Sequence, residues 1–159
     1  MTAVIKQIYI AETSGAAPQA TSRAQLIAGQ GIQGDRYFSR LPSISSDPST
    51  EITLIEQEQV DQFNTQHNRQ YNYGDFRRNI ITHGMPLNSL LGKIFWLGTV
   101  QLKGIMLCEP CAYLAKTLDP LVLPHLLNKG GLRAQILSSG EIKLGETIQR
   151  PSHKSSISV

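Results

Sequence analysis

The sequence predicts a mainly β fold, a β-rich α+β domain of short strands with a few short helices. Three observations lead there. Turn formers are abundant, with 13 Gly and 8 Pro in 159 residues, which breaks the chain into short elements. Charged residues make up only 17%, far from the composition of a coiled coil or a disordered acidic chain. The apolar residues fall in short runs separated by turn signals, the pattern of strands rather than of long helices. With 40% hydrophobic residues the chain can bury one substantial core but not two, so 1–150 is expected to be a single domain and 151–159 (PSHKSSISV) a flexible polar tail.

Charge and cysteine content narrow the function classes. The balance of 15 basic against 12 acidic residues gives a net charge of +3, which suits a small anionic ligand and falls short of a nucleic-acid footprint. No apolar run approaches the roughly 20 residues that span a bilayer, and the N-terminus lacks the regions of a secretory signal. A cytoplasmic protein without membrane or nucleic-acid partners is expected. Its two cysteines are then thiols to be weighed as ligands, nucleophiles or buried small side chains rather than as a staple.

Along the chain, Ala3 to Ala11 alternates loosely through Val4, Ile5, Ile8 and Ile10 and predicts a first strand, turned by Thr13-Ser14-Gly15. Gln25 to Ala28 predicts another, followed by Gly29-Gln30-Gly31-Ile32-Gln33-Gly34, a literal G-x-G-x-x-G. No helix opens at its third glycine, because Asp35 to Leu41 runs into Pro42 and a Ser/Pro-rich tract. A dinucleotide site is therefore rejected, and the glycines are assigned to positive φ and close backbone approach in a tight loop. Ser39 to Thr50 reads as a surface loop and a candidate lid. Glu51 to Ile55 predicts a β-branched strand, and Glu56 to His67 a polar helix with Val60 and Phe63 inward and His67 exposed at its end.

Arg77, Arg78 and Asn79 lead into the apolar run Ile80-Ile81. On a strand the two arginines point to opposite faces, so only one would serve a pocket; a solvated edge pair is the plainer alternative. Arginine suits an anionic oxygen ligand, and asparagine offers donor and acceptor in one compact group. Lys93 to Leu97 and Val100 to Gly104, around Gly98-Thr99, predict a hairpin whose second strand continues through Leu107 to Cys108-Glu109-Pro110-Cys111.

Pro110 suits a first helical position, which sets Cys111 at a helix N-terminus, where partial positive charge and unpaired N–H groups favour the thiolate. Cys108 is assigned to the strand. The C-x-x-C spacing lacks the βαβ surroundings of a thioredoxin site. A zinc site built on Cys108, Cys111 and His125 is not completed by a second His at the required spacing. Asp119 to Asn128 predicts a short helix broken or started at Pro124 and stopped by Lys129-Gly130-Gly131. Leu132 to Leu137 and Glu141 to Thr147 predict the last strands, with a bend at Gly145. These strands are best closed as a barrel without long exposed edges.

Five blocks in order resemble the MOSC family, named after the C-terminal module of molybdenum cofactor sulfurases. They are Gly31-Ile32-Gln33-Gly34-Asp35-Arg36, Asp75 to Gly84 (DFRRNIITHG), Leu107-Cys108-Glu109-Pro110-Cys111, Gly130-Gly131-Leu132-Arg133-Ala134, and Gly140 to Glu146 (GEIKLGE). The resemblance implies a MOSC-type β-barrel and a pocket for the molybdenum cofactor (molybdopterin). It makes Cys111 the central residue, as molybdenum ligand or persulfide carrier, with Arg78, Asn79, Gly34 and Asp35 holding the cofactor. Two activities stay open: an oxidoreductase acting on N-hydroxylated compounds, or a sulfur carrier or cofactor-handling protein without redox turnover. Pyridoxal phosphate is not expected in a chain of this length, and a reductase would need a separate electron-donor protein.

Overall fold

The computed structural model describes residues 2–39 and 47–151. Most of the candidate lid and the tail beyond Pro151 lie outside the described residues. The strands are β1 (Val4–Ile10), β2 (Gln19–Thr21), β3 (Arg23–Ile27), β4 (Gly31–Ile32), β5 (Ile52–Glu56), β6 (Ile80–His83), β7 (Ile94–Leu97), β8 (Val100–Leu107), β9 (Leu132–Ile136), β10 (Gly140–Lys143) and β11 (Ile148–Gln149). Three short helices accompany them: α1 (Gln57–His67), α2 (Ala112–Thr117) and α3 (Val122–His125).

Eight strands form one sheet in the order β11-β7-β8-β9-β5-β6-β1-β2, and β10-β3-β4 form a second. The large sheet curls until its ends meet. Ile5 N–H donates to Glu146 O, Gly145 N–H to Ile5 O and Ile148 N–H to Ala3 O, each at 2.9 Å, so the chain leading into β11 bridges β7 to β1. This closure removes most of the open edge that a curled sheet would otherwise present.

The strand predicted from Glu141 to Thr147 ends at Lys143, and a separate strand, β11, begins just beyond the predicted range. β10 pairs with β3 in the small sheet, whereas β11 pairs with β7 in the large one. The four residues between them turn the corner, with Gly145 at φ 85°. β2, absent from the sequence reading, is a short and largely exposed strand without an apolar alternation to announce it. The glycine-rich loop is as expected: Gly29, Gly31 and Gly34 all have positive φ, and no helix opens at Gly34 over the described residues 35–39.

Parallel pairing occurs between β5 and β6, and α1 is the crossover that parallel neighbours require. It covers the outer face of the barrel. Ile52, Leu54 and Ile80 point into the barrel core with Leu26, Phe95, Leu102 and Ile136. Ile55 and Ile81, offset by one on the same strands, point outward and pack with Val60, Phe63, Phe76, Leu114, Val122 and Leu126. The expected single core is therefore two apolar layers back to back, which needs no second domain because β5 and β6 serve both faces. Phe63 meets Phe76 edge-on at 5.6 Å between ring centroids, a favoured aromatic geometry.

The helical layer covers only part of the outer face. Thr53 on β5 and Arg133 on β9 are register partners and share that face beyond the reach of α1. A cleft opens above them.

Candidate cofactor cleft

Cys111 reaches the cleft from a turn that is held at several points. β8 ends at Leu107, and Cys108 N–H donates to Gly131 O at 2.8 Å. Cys108 is only 1% exposed. The buried Arg78 guanidinium fixes the other side of the turn: Nε donates to Gly130 O at 2.9 Å, Nη1 to Phe76 O at 3.1 Å, and Nη2 to Cys108 O at 3.1 Å and Glu109 O at 3.5 Å. A Cβ on Gly130 would lie 2.4 Å from Cys108 O, so the glycine is what lets these two segments approach.

Pro110 is not in the helix, as its fixed φ had suggested. Cys111 itself is the N-cap of α2, with φ −125° and ψ 168°, the extended geometry of a capping residue. Its side chain makes no capping hydrogen bond and is exposed. α2 has six residues, so the helix-end field expected at Cys111 comes from little more than one turn.

The cleft has a volume of about 300 Å³. Thr53 and Arg133 line it from the sheet, and Arg77 and Arg78 from the segment entering β6. Cys108, Cys111, Tyr113 and Leu114 line it from the turn and α2. Ser14 and Gly15 of the β1–β2 connection and Arg36 and Tyr37 after β4 complete it. Among the described residues four guanidinium groups thus line the cleft, and no carboxylate side chain does. Arg36 lies 4.6 Å from the centre of the Tyr37 ring, and Arg77 lies 5.9 Å from that of Tyr113. Arg133 Nη1 donates to Ser49 O at 3.3 Å. A net charge of +3 understates this local field, which favours anionic groups.

The expectation that Arg77 and Arg78 occupy opposite faces of a strand is overturned. Tyr73–Phe76 is a 3-10 turn, and Arg77 closes it in the left-handed region at φ 64° with its N–H bonded to Gly74 O. Strand alternation does not apply before Ile80, and both arginines line the cleft.

Of the residues singled out from sequence, Cys111 and Arg78 line the cleft together, while Gly34, Asp35 and Asn79 do not. Asn79 Oδ1 accepts from Thr53 N–H and Oγ1 at 3.1 Å each, and its Nδ2 donates to Tyr9 O at 3.1 Å. It ties β5 and β1 to the start of β6. Asp35 accepts from Ala11 N–H at 3.1 Å and Tyr37 N–H at 3.4 Å and pairs with Arg36 at 3.3 Å, which steadies the Arg36–Tyr37 wall. Gly34, at φ 90°, permits the turn that delivers Asp35. Arg36, Tyr37, Thr53, Tyr113 and Arg133 escaped the sequence reading as site residues. One signal was available for Arg133: on β9 it alternates against the core residues Leu132, Ala134 and Ile136.

His67 is not simply exposed. Its Nε2 lies 3.1 Å from His125 Nδ1, and both rings pack on Phe63. Burial, then the neighbouring His67 and Lys129, push the His125 imidazole below its ordinary value. Among the described residues no group of three or more His, Cys, Asp and Glu side chains is arranged to hold a metal. No helix among them is long and apolar enough to cross a membrane.

Comparison with known proteins agrees with this architecture. The YuaD protein from Bacillus subtilis superposes with a TM-score of 0.75 at 20% identity, covering 93% of this chain and 94% of that one. YiiM from Geobacillus stearothermophilus gives 0.71 at 16% identity, covering 94% and 75%, and YiiM from Escherichia coli 0.69 at 15%, covering 96% and 71%. At these identities the likeness is one of fold. Comparison with curated proteins gives no match. The family model described as MOSC domain matches residues 42–149, more than half of the chain and the part that carries Cys111, Arg77, Arg78 and Arg133, and the chain belongs to the MOSC domain family.

Proposed function

We propose that the chain binds the molybdenum cofactor in this cleft, with Cys111 as protein ligand to molybdenum, and acts as a cytoplasmic oxidoreductase on N-hydroxylated compounds. One observation carries the reading: an exposed thiol stands at a cleft that, among the described residues, is lined by four guanidinium groups and no carboxylate. The fit is chemical. A soft thiolate suits molybdenum, and the absence of a converging ligand cluster among the described residues suits a metal that arrives already held by an organic, anionic cofactor. Family membership is consistent with it, since the MOSC domain is associated with that cofactor in general.

The residues divide the work. Arg36, Arg77 and Arg133 offer guanidinium forks to anionic oxygens, while Arg78, engaged by backbone carbonyls, adds its charge and keeps the Cys111 turn in place. Tyr37 and Tyr113 present ring faces at the rim, where they would exclude water from one side of a bound substrate. When bound, the cofactor would supply the two-electron chemistry that converts an N–OH group to N–H and water. A separate electron-donor protein would supply those electrons.

The test is molybdenum and pterin content per chain after production in a host that makes the cofactor, native against Cys111→Ser. Near-stoichiometric metal that falls sharply in the variant supports the assignment. Metal retained at full level in Cys111→Ser removes Cys111 as ligand. No metal or pterin in either form overturns the reading in favour of a sulfur-carrying Cys111, to be sought as a persulfide by mass.

A further inference from the structure

Cys108, the first member of the C-x-x-C pair, is the part of the cleft that cofactor binding leaves without a role. Cys108 and Cys111 line the same cleft, but they differ in access: Cys108 is buried, and Cys111 is exposed. Three positions apart, their Cα atoms lie at most about 11 Å from each other, and a disulfide needs roughly 4.4–6.8 Å. Cys108 is held on both sides, by the bond of its N–H to Gly131 O and by Arg78 on its carbonyl. Cys111 is less constrained. Its side chain caps nothing, and its carbonyl is tied to α2 by the single Ala115 bond at 3.0 Å, so releasing one turn of a six-residue helix would let it move toward Cys108.

We propose that Cys108 is a resolving thiol for Cys111: when a peroxide oxidises the exposed thiol, a Cys108–Cys111 disulfide forms and withdraws Cys111 as a free thiol. Cys111 sulfur attacks the peroxide, the O–O bond breaks, Cys111 becomes a sulfenic acid and the second oxygen leaves as water. Cys108 sulfur then attacks Cys111 sulfur. The S–S bond forms, the S–O bond breaks, and the hydroxyl leaves with the Cys108 proton as a second water. Two thiols are oxidised by two electrons, and hydrogen peroxide is reduced to two waters. A dithiol reductant reverses the step. Without a resolving thiol, excess peroxide carries a sulfenic acid on to the irreversible sulfinic acid. The inference rests on the proposed function only in that the withdrawn thiol is the one assigned to molybdenum; the oxidation itself needs no cofactor.

The experiment treats the full-length native chain, Cys108→Ala and Cys111→Ser with hydrogen peroxide in the presence of dimedone, which traps sulfenic acid. Masses and free thiols are then read after denaturation, before and after dithiothreitol. The expected native product is lighter by two hydrogens, with both thiols lost together and both restored by dithiothreitol. Cys108→Ala should carry dimedone or added oxygen at Cys111, and Cys111→Ser should keep an unmodified Cys108. A native chain that gains oxygens at Cys111 while Cys108 stays a free thiol overturns the proposal, as does a disulfide between two chains. The native result decides the question even if Cys108→Ala folds poorly. Metal and pterin content of untreated protein decides the cofactor reading separately, so cofactor without the disulfide removes this inference alone.

Discussion

Arg78→Met tests whether the guanidinium is the clamp of the cysteine turn. Arg78 is 7% exposed, and its donors meet Gly130 O at 2.9 Å, Phe76 O at 3.1 Å and Cys108 O at 3.1 Å, with a marginal contact to Glu109 O at 3.5 Å. Hydrogen bonds to a charged group are worth about 1.5–3 kcal/mol each, but bonds from one side chain are not additive. A comparable loss, removal of one member of a buried charged arrangement, costs about 3–5 kcal/mol. Methionine fills much of the volume and leaves three buried carbonyls without their partner. We therefore expect Arg78→Met to lose about 4 kcal/mol, a large part of the roughly 5–15 kcal/mol available to a domain. With a urea m-value near 2 kcal/mol/M, the midpoint should fall by about 2 M, read by far-UV circular dichroism. Arg78→Lys keeps the charge but not the fork, and should fall between the two. A loss of Arg78→Met below about 1 kcal/mol, the range of ordinary surface changes, would refute the clamp and return Arg78 to the role of a free ligand-binding cation.

Four further outcomes follow from the same geometry. In the reduced native protein, a thiol reagent should modify Cys111 promptly and Cys108 only on unfolding; two equally fast thiols would contradict the burial of Cys108. Gly131→Ala places a Cβ 2.0 Å from Leu54 O at φ 115°, combining backbone strain and overpacking for a loss of about 3–5 kcal/mol, visible as a depressed thermal midpoint. His125 takes up its proton less readily in the folded chain than at its ordinary value of 6.5, so the unfolded state binds the extra proton. Stability present above that pH is then lost as pH falls through the folded value. The difference between native and His125→Phe urea titrations from pH 8 to pH 5 isolates this contribution, and identical slopes would remove it. Arg133→Gln gives up one weak bond to Ser49 O and should change stability by less than about 1 kcal/mol, while lowering the cofactor content of protein made in a cofactor-producing host.

What the sequence revealed and what it hid have different physical causes. Strands whose apolar residues alternate or cluster were legible: β1, β5, β7, β8 and β9 fall within a residue or a few of their expected positions, because burial of one face imposes the period. Glycine loops were legible because positive φ is a local demand, met at Gly29, Gly31 and Gly34. The turn at Arg77 was not. Nothing in Asp75-Phe76-Arg77-Arg78 says that Arg77 will close a 3-10 turn with positive φ, since an arginine there pays a conformational penalty that only the surrounding packing can justify. The second apolar layer was hidden for a similar reason: Ile55 and Ile81 look like ordinary strand residues until α1, α2 and α3 are known to lie over them. Cys111 was legible as a thiol near a helix start, but its convergence with Arg36 and Arg133 depends on strands β4 and β9, far apart in the chain.

That convergence also separates the residues that build the site from those that would meet its ligand. Arg78 and Asn79 are buried and engaged by backbone groups of β1, β5 and the cysteine turn, so their polarity is already satisfied by the fold. Arg77 and Arg36 instead rest on tyrosine rings, a cation–π contact that holds a guanidinium in place without using its N–H donors, although one Arg36 donor, Nη1, is already given to Asp35. The two pairs of neighbours, Arg36 with its fixed Asp35 and Arg77 with the clamped Arg78, therefore follow one scheme. In each, a buried charged side chain, Asp35 or Arg78, sets the backbone and its chain neighbour presents a cation to the cleft. Ligand affinity should accordingly reside in Arg36, Arg77 and Arg133 and weaken with salt, whereas the penalty for losing Arg78 or Asp35 should appear first as lost stability.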